Sequence, residues 1–204
     1  MLNEKMVGLG SRRSVIREIF EYGKKRKAEI GEENVFDFSL GNPSVPTPAA
    51  VTAALERIIK ETDPVKLHGY TSAQGDMAVR AKIAGSIEER FGFPANKDLI
   101  YMTCGAAASL TVTLNALINS GDEIIIPSPF FPEYRVFAEN AGAHVVTVQC
   151  RKPDFQLDIK ATENAVTEKT KAIIINSPNN PTGAVFSPDT IKALSDMPVS
   201  YTHL

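Results

Sequence analysis

Two short stretches of this 204-residue chain carry residue types whose spacing could do chemistry. The first is Asn176-Ser177-Pro178-Asn179-Asn180-Pro181-Thr182-Gly183. It follows residues 172–175, an Ile-rich run that reads as a strand, so the loop stands at that strand's carboxyl end. Two prolines hold the residues before them extended, and Gly183 permits the turn that closes the loop. A rigid loop of this kind can present the Asn180 amide, donor and acceptor together, to one fixed polar atom. A plain Asn-Pro turn is common, but six restrictive residues in eight exceed what a turn needs. The second stretch is Met102-Thr103-Cys104-Gly105-Ala106-Ala107-Ala108-Ser109-Leu110, a strand-turn-helix pattern. Its small residues let backbone amides at a helix N-terminus approach an anion, with phosphate the usual occupant. Such turns also serve merely to pack a helix on a sheet, and on the turn alone that reading stands first.

Other chemistries are excluded by what the sequence lacks. It has no Gly-x-x-x-x-Gly-Lys, no Gly-x-Gly-x-x-Gly, no His-Glu-x-x-His and no Gly-x-Ser-x-Gly. His68, His144 and His203 are scattered and give neither a triad nor metal-ligand spacing, so no metal is expected. Cys104 sits inside the second stretch, where a small buried thiol suits the turn better than a redox or nucleophilic role.

The elements that must position these stretches follow from periodicity. Ser11 is placed to cap a basic amphipathic helix with Ile16, Ile19 and Phe20 on one face, and Gly31 to end it. Its run Lys24-Lys25-Arg26-Lys27 is diluted by neighbouring glutamates and reads as a solvated face. Residues 35–40 read as a short strand, followed by the turn Gly41-Asn42-Pro43-Ser44-Val45-Pro46. Thr47 and Pro48 predict a helix start, with Val51, Leu55, Ile58 and Ile59 as its buried stripe. A helix over 76–91 turns Met77, Ile83, Ala84 and Ile87 inward and stops at Gly92. Strands at 99–103, 123–126, 144–149 and 171–175 then alternate with helices at 106–119, 132–141, near 158–166 and from Pro188. That alternation predicts an α/β fold with a mostly parallel sheet and flanking helices, whose ligands bind in loops at the carboxyl ends of the strands.

Composition is that of an ordinary globular protein, with 43% hydrophobic and 23% charged residues. A net charge of -2 creates no field to gather nucleic acid or an anionic membrane surface, so neither is an expected partner. The 23 residues between Asp98 and Asp122 carry no charge and could span a bilayer by length. Gly105 and several Thr, Ser and Asn side chains argue instead for a buried strand, a tight turn and a core helix. Two distant cysteines, no Cys-x-x-Cys and no secretory leader point to the cytoplasm.

Taken together, Asn180-Pro181-Thr182-Gly183, the upstream Ser128-Pro129-Phe130-Phe131-Pro132-Glu133-Tyr134, Gly105-Ala106-Ala107 and Gly41-Asn42-Pro43 resemble the class I/II aminotransferases. These are pyridoxal 5'-phosphate (PLP) enzymes of the aspartate aminotransferase fold type, fold type I. The likeness runs in order from about residue 35 to about residue 195. It implies an N-terminal arm and the start of a small domain over 1–47, then the first part of the large PLP-binding domain over 48–204. It further implies that Gly105, Ala106 and Ala107 hold the cofactor phosphate, and that Phe131 stacks on the pyridine ring, where it could also be core packing. Asn180 would bond the phenolic oxygen, and Tyr70, in Tyr70-Thr71-Ser72-Ala73-Gln74-Gly75, would reach the phosphate of a neighbouring subunit in a homodimer. Gly41 would lie beside the substrate carboxylate.

Some family features have no counterpart. Val79-Arg80 stands where the family usually has Leu-Arg, a mild change. The Schiff-base lysine, the aspartate that pairs with the pyridine nitrogen and the carboxylate-binding arginine all follow the Asn-Pro-Thr-Gly motif in the family. Here that region holds one lysine, Lys192, in no matching pattern, and no arginine. The resemblance therefore implies an N-terminal fragment with no catalytic lysine of its own. The function it implies is amino transfer between an amino acid and a 2-oxo acid. A PLP-dependent lyase or synthase of the same fold, or a non-catalytic aminotransferase-like regulatory domain, shares every motif present.

Overall fold

The computed structural model describes residues 2, 4–11, 15–41 and 45–197. It divides into two compact units, Met1–Tyr70 and Thr71–Leu204.

The first unit is helical. Helix α1 (Glu4–Ser11) and helix α2 (Val15–Ile30) precede a 3-10 turn, Glu32–Asn34. Ser11 is not the cap of the basic helix: it is the last residue of α1, and its hydroxyl donates back to the Val7 carbonyl. Gly31 ends α2 as expected, at φ 91° with its amide on the Lys27 carbonyl at 3.0 Å. Residues 35–40 form no strand: the segment bends at Ser39-Leu40, and no described segment offers it a ladder. Their alternation survives: Phe36 and Phe38 are exposed, while Asp37 turns toward α2. A Cβ on Gly23 would lie 2.9 Å from Asp37 Oδ2, so glycine is what admits this approach. The Ser39 hydroxyl and amide donate to Asp37 Oδ1 and hold that carboxyl below its ordinary range. Helix α3 (Ala49–Glu61) starts one residue later than Thr47-Pro48 predicts, with Pro48 at the cap and no side-chain cap bond. Its apolar stripe is exposed within this unit, and Ile59 keeps 68% of its surface. Helix α4 (Pro64–His68) is capped by Asp63.

The second unit holds the sheet. Helix α5 (Met77–Phe91) is capped by Asp76, which accepts from two amides, and stops at a left-handed Gly92. Ala84 is buried there, whereas Met77, expected inward, is 60% exposed. The expected strand 99–103 does not form. A 3-10 turn, Lys97–Leu99, takes its start, and the rest is extended with the Met102 amide on the Gln74 carbonyl and no ladder among the described residues.

Helix α6 (Ala106–Leu117) leads to strand β1 (Glu123–Ser128), helix α7 (Glu133–Asn140), strand β2 (His144–Gln149), helix α8 (Ile159–Asn164), strand β3 (Thr170–Ile173) and helix α9 (Pro188–Ser195). The sheet is parallel with order β2-β1-β3. Central β1 is covered on both faces, which is why Ile124, Ile125 and Ile126 read as an unbroken apolar run and are almost wholly buried. Each contributes about 1.5–3 kcal/mol over leaving it in water. Edge strand β2 is less covered: Val145 and Val148, three residues apart and so on opposite faces, are buried, while His144, Thr147 and Gln149 are exposed. Leu114 of α6, Ile118 at that helix's C-terminal cap and Ala138 of α7 close the core against β1 and β2. No helix among the described residues is long and apolar enough to cross a membrane.

Candidate cofactor site

Because β1 and β3 are parallel neighbours, the loops leaving their carboxyl ends start side by side. After β3, Ile174 is still held by the Ile125 carbonyl at 3.0 Å, and the chain then enters residues 176–183. This loop is tied by its own side chains. Asn176 Oδ1 accepts from the Asn180 amide at 2.7 Å, and Asn179 Oδ1 accepts from the Thr182 amide and hydroxyl at 3.2 and 2.9 Å. The Thr182 hydroxyl oxygen accepts from the Ala184 amide at 3.1 Å, and the Ser177 hydroxyl oxygen accepts from the Phe186 amide at 3.0 Å. Gly183, at φ 72°, donates to the Asn179 carbonyl at 2.7 Å. The Asn180 carboxamide is exposed and bonds to none of the described residues, so the loop fixes its backbone and leaves the side chain free among them.

After β1, the segment 128–132 turns into α7. Its two phenylalanines diverge: Phe130 packs on the core cluster, and Phe131 does not belong to it. Phe131 is half-buried and meets the Tyr134 ring edge-on, with centroids 5.6 Å apart at 79°. Phe130, Tyr134, Asn176 and Asn179 line one small hollow between the two loops, which brings the Phe131 and Asn180 segments together.

The third part is the turn before α6. Gly105 has φ 100° and ψ 173°, a region open essentially to glycine alone. The Gly105 carbonyl accepts from the Ser109 amide at 3.1 Å, from the Thr103 hydroxyl at 3.1 Å and from the Ser109 hydroxyl at 3.3 Å. The amides of Ala106, Ala107 and Ala108 find no acceptor among the described residues, and no side chain caps the helix. Three unspent donors at the positive end of a 12-residue helix whose first three side chains are methyl groups suit a phosphate ester. The donor set thus fits the phosphate end of PLP, and the free Asn180 carboxamide fits a phenolate oxygen.

Two other expected residues lie in the first unit. Tyr70 is fully exposed at that unit's end, and Gly41 is exposed beside Asn42 and Pro43, which fall outside the described residues. Sequence reasoning missed the loop-building roles of Asn176 and Asn179. Their signal was Asn set three or four residues ahead of a free amide, the spacing of side-chain-to-backbone turns. It also gave no role to Arg80, which is buried.

The aminotransferase class I and II family model matches residues 33–204. The chain is 32% identical over 188 residues to the probable aspartate aminotransferase of Methanocaldococcus jannaschii, covering 92% of this chain and 47% of that protein. It is 32% identical over 173 residues to the alanine aminotransferase of Mycobacterium tuberculosis, covering 84% and 40% respectively. The crystal structure of an amino transferase from Eubacterium rectale superposes with a TM-score of 0.92 at 51% identity, over 97% of this chain and 50% of that one. The chain therefore spans about half the length of the relatives it matches. Since the match takes in most of its residues and the fold agrees, this chain belongs to the aminotransferase class I and II family.

Proposed function

We propose that the complete protein transfers an amino group between an amino acid and a 2-oxo acid with PLP as cofactor, in the cytoplasm and as a homodimer. The observation that carries this reading is the set of unspent amides following Gly105, on the same sheet unit as the free Asn180 carboxamide. Gly105, Ala106 and Ala107 would bind the phosphate, with the α6 dipole favouring its negative charge. Phe131 would limit tilting of the ring, and the Asn180 amide would donate to the phenolic oxygen and favour its anionic form. When bound, the cofactor supplies an electron sink that makes an amino acid's α-hydrogen acidic.

Tyr70 would reach the phosphate of the neighbouring subunit, and Gly41 would leave room for the substrate carboxylate. Residues 1–47 would begin the small domain and 48–204 the large one. The lysine that joins the cofactor would come from chain outside these 204 residues.

The test is transfer of 15N from a labelled amino acid to a 2-oxo acid by the complete protein, with and without added PLP. PLP-dependent label in the new amino acid is the expected result. Elimination products without transfer would favour a lyase, and the absence of any reaction across amino donors would refute the enzyme reading.

A further inference from the structure

We propose that Arg80 is a positioning residue for the phosphate turn, a role that rests on the cofactor reading above. Arg80 lies in α5 and keeps only 5% of its surface, which makes it the one buried charged side chain among the described residues. A guanidinium in that position is tolerated only when hydrogen bonds replace its water. Its Nη1 donates to the Lys97 carbonyl at 2.9 Å and its Nε to the Gly75 carbonyl at 3.3 Å, with Asp98 Oδ1 3.9 Å away. The Asp98 side chain is 62% exposed, so this ion pair is screened and the carbonyl bonds dominate.

Those two carbonyls belong to the two segments that set the approach to Gly105. Lys97 opens the 3-10 turn from which residues 100–103 emerge. Gly75 closes a turn over 72–75, its amide on the Ser72 carbonyl at 2.8 Å and its carbonyl bonded by the Ser72 hydroxyl at 2.6 Å. That turn docks on Met102: the Met102 amide donates to the Gln74 carbonyl at 3.0 Å, and a Cβ on Gly75 would lie 2.4 Å from Met102 Cγ. Thr103, next in the chain, bonds the Gly105 carbonyl. One guanidinium thus fixes both the start of the segment and the surface that receives its end, three residues before the glycine that aims the amides. A lysine at this position keeps the charge but lacks the fork that spans two carbonyls.

The experiment compares Arg80→Met and Arg80→Lys in the complete protein with a destabilised control, Thr162→Ala, whose buried hydroxyl bonds the Asp158 carbonyl in α8. Three quantities are read: the dissociation constants of PLP and of pyridoxal, the melting temperature of the apoprotein, and hydrogen exchange at the Met102 amide. The expected result is a tenfold or greater loss of PLP affinity in Arg80→Met, a smaller loss in Arg80→Lys, unchanged pyridoxal affinity, and faster Met102 exchange in both. Thr162→Ala should lower the melting temperature with PLP affinity within twofold of wild type. If Arg80→Met does not fold, Arg80→Lys decides by the same measures. Wild-type PLP affinity in a folded Arg80 variant overturns this role alone. A wild-type protein that binds no PLP overturns the cofactor reading and this role with it.

Discussion

Replacing Gly105 by alanine isolates the backbone contribution to the proposed phosphate site. An added Cβ there would meet nothing within 4 Å, so no packing clash accompanies the change. What changes is the dihedral cost, since φ 100° and ψ 173° lie where side-chain-bearing residues are strained by about 1–3 kcal/mol. The substituted turn has two responses. If it keeps its shape, the apoprotein loses that stability. If it relaxes, the peptide rotates, the amides of Ala106 and Ala107 aim elsewhere, and the loss shows up in binding instead. At about 1.4 kcal/mol per tenfold, complete relaxation weakens PLP binding by roughly 5- to 150-fold. The two losses, read from denaturant unfolding of the apoprotein and from a PLP titration, should sum to about 1–3 kcal/mol. Gly85→Ala is the matched control. It sits inside α5 with nothing within 4 Å and no positive φ, and should gain about 0.5–1 kcal/mol with unchanged affinity. A Gly105→Ala protein equal to wild type in both measurements would refute the argument that this backbone aims the amides.

Asn180→Ala removes the one loop carboxamide left free among the described residues. Loss of a hydrogen bond to a charged oxygen is worth about 1.5–3 kcal/mol, so a PLP titration should show roughly 10- to 150-fold weaker binding, and undiminished affinity would contradict the role. Phe131→Ala should weaken binding by about 0.5–1.5 kcal/mol beyond the lost area, with a small change in melting temperature because Phe131 stands outside the core cluster. A large fall in melting temperature with intact binding would return it to packing. Iodoacetamide above pH 8 should label exposed Cys104 well before Cys150, whose thiol is pushed up by burial and then by Asp154, and a peptide map showing the reverse order would contradict the geometry.

What the sequence reveals here depends on where each segment finds its partner. The β1, β2 and β3 ladder was legible because its strands pair with one another inside the chain, and the unbroken Ile run marks the strand covered on both faces. Residues 35–40 and 99–103 have strand composition too, yet neither pairs, since a strand is completed by a neighbour and no described segment supplies one. The stripe of α3 was legible as amphipathic for the same reason that it is exposed: the pattern records a surface to be covered, not what covers it. Gly105 and the 176–183 loop were readable because restrictive residues must serve a particular backbone. Arg80 was not, because nothing in its neighbours distinguishes a buried guanidinium from a solvated one. Its two acceptors are main-chain carbonyls, which carry no residue signature.

In the function proposed above, these 204 residues would supply the cofactor's cradle, and the lysine that joins it would lie elsewhere in the complete protein. Borohydride reduction of the complete protein with PLP, followed by peptide mapping, tests this directly. The expected result is one pyridoxyllysine per chain, at a position outside this sequence, and no stoichiometric label when the 204-residue polypeptide is treated alone. A stoichiometric label on any of the thirteen lysines present here, or no label on the complete protein, would contradict it.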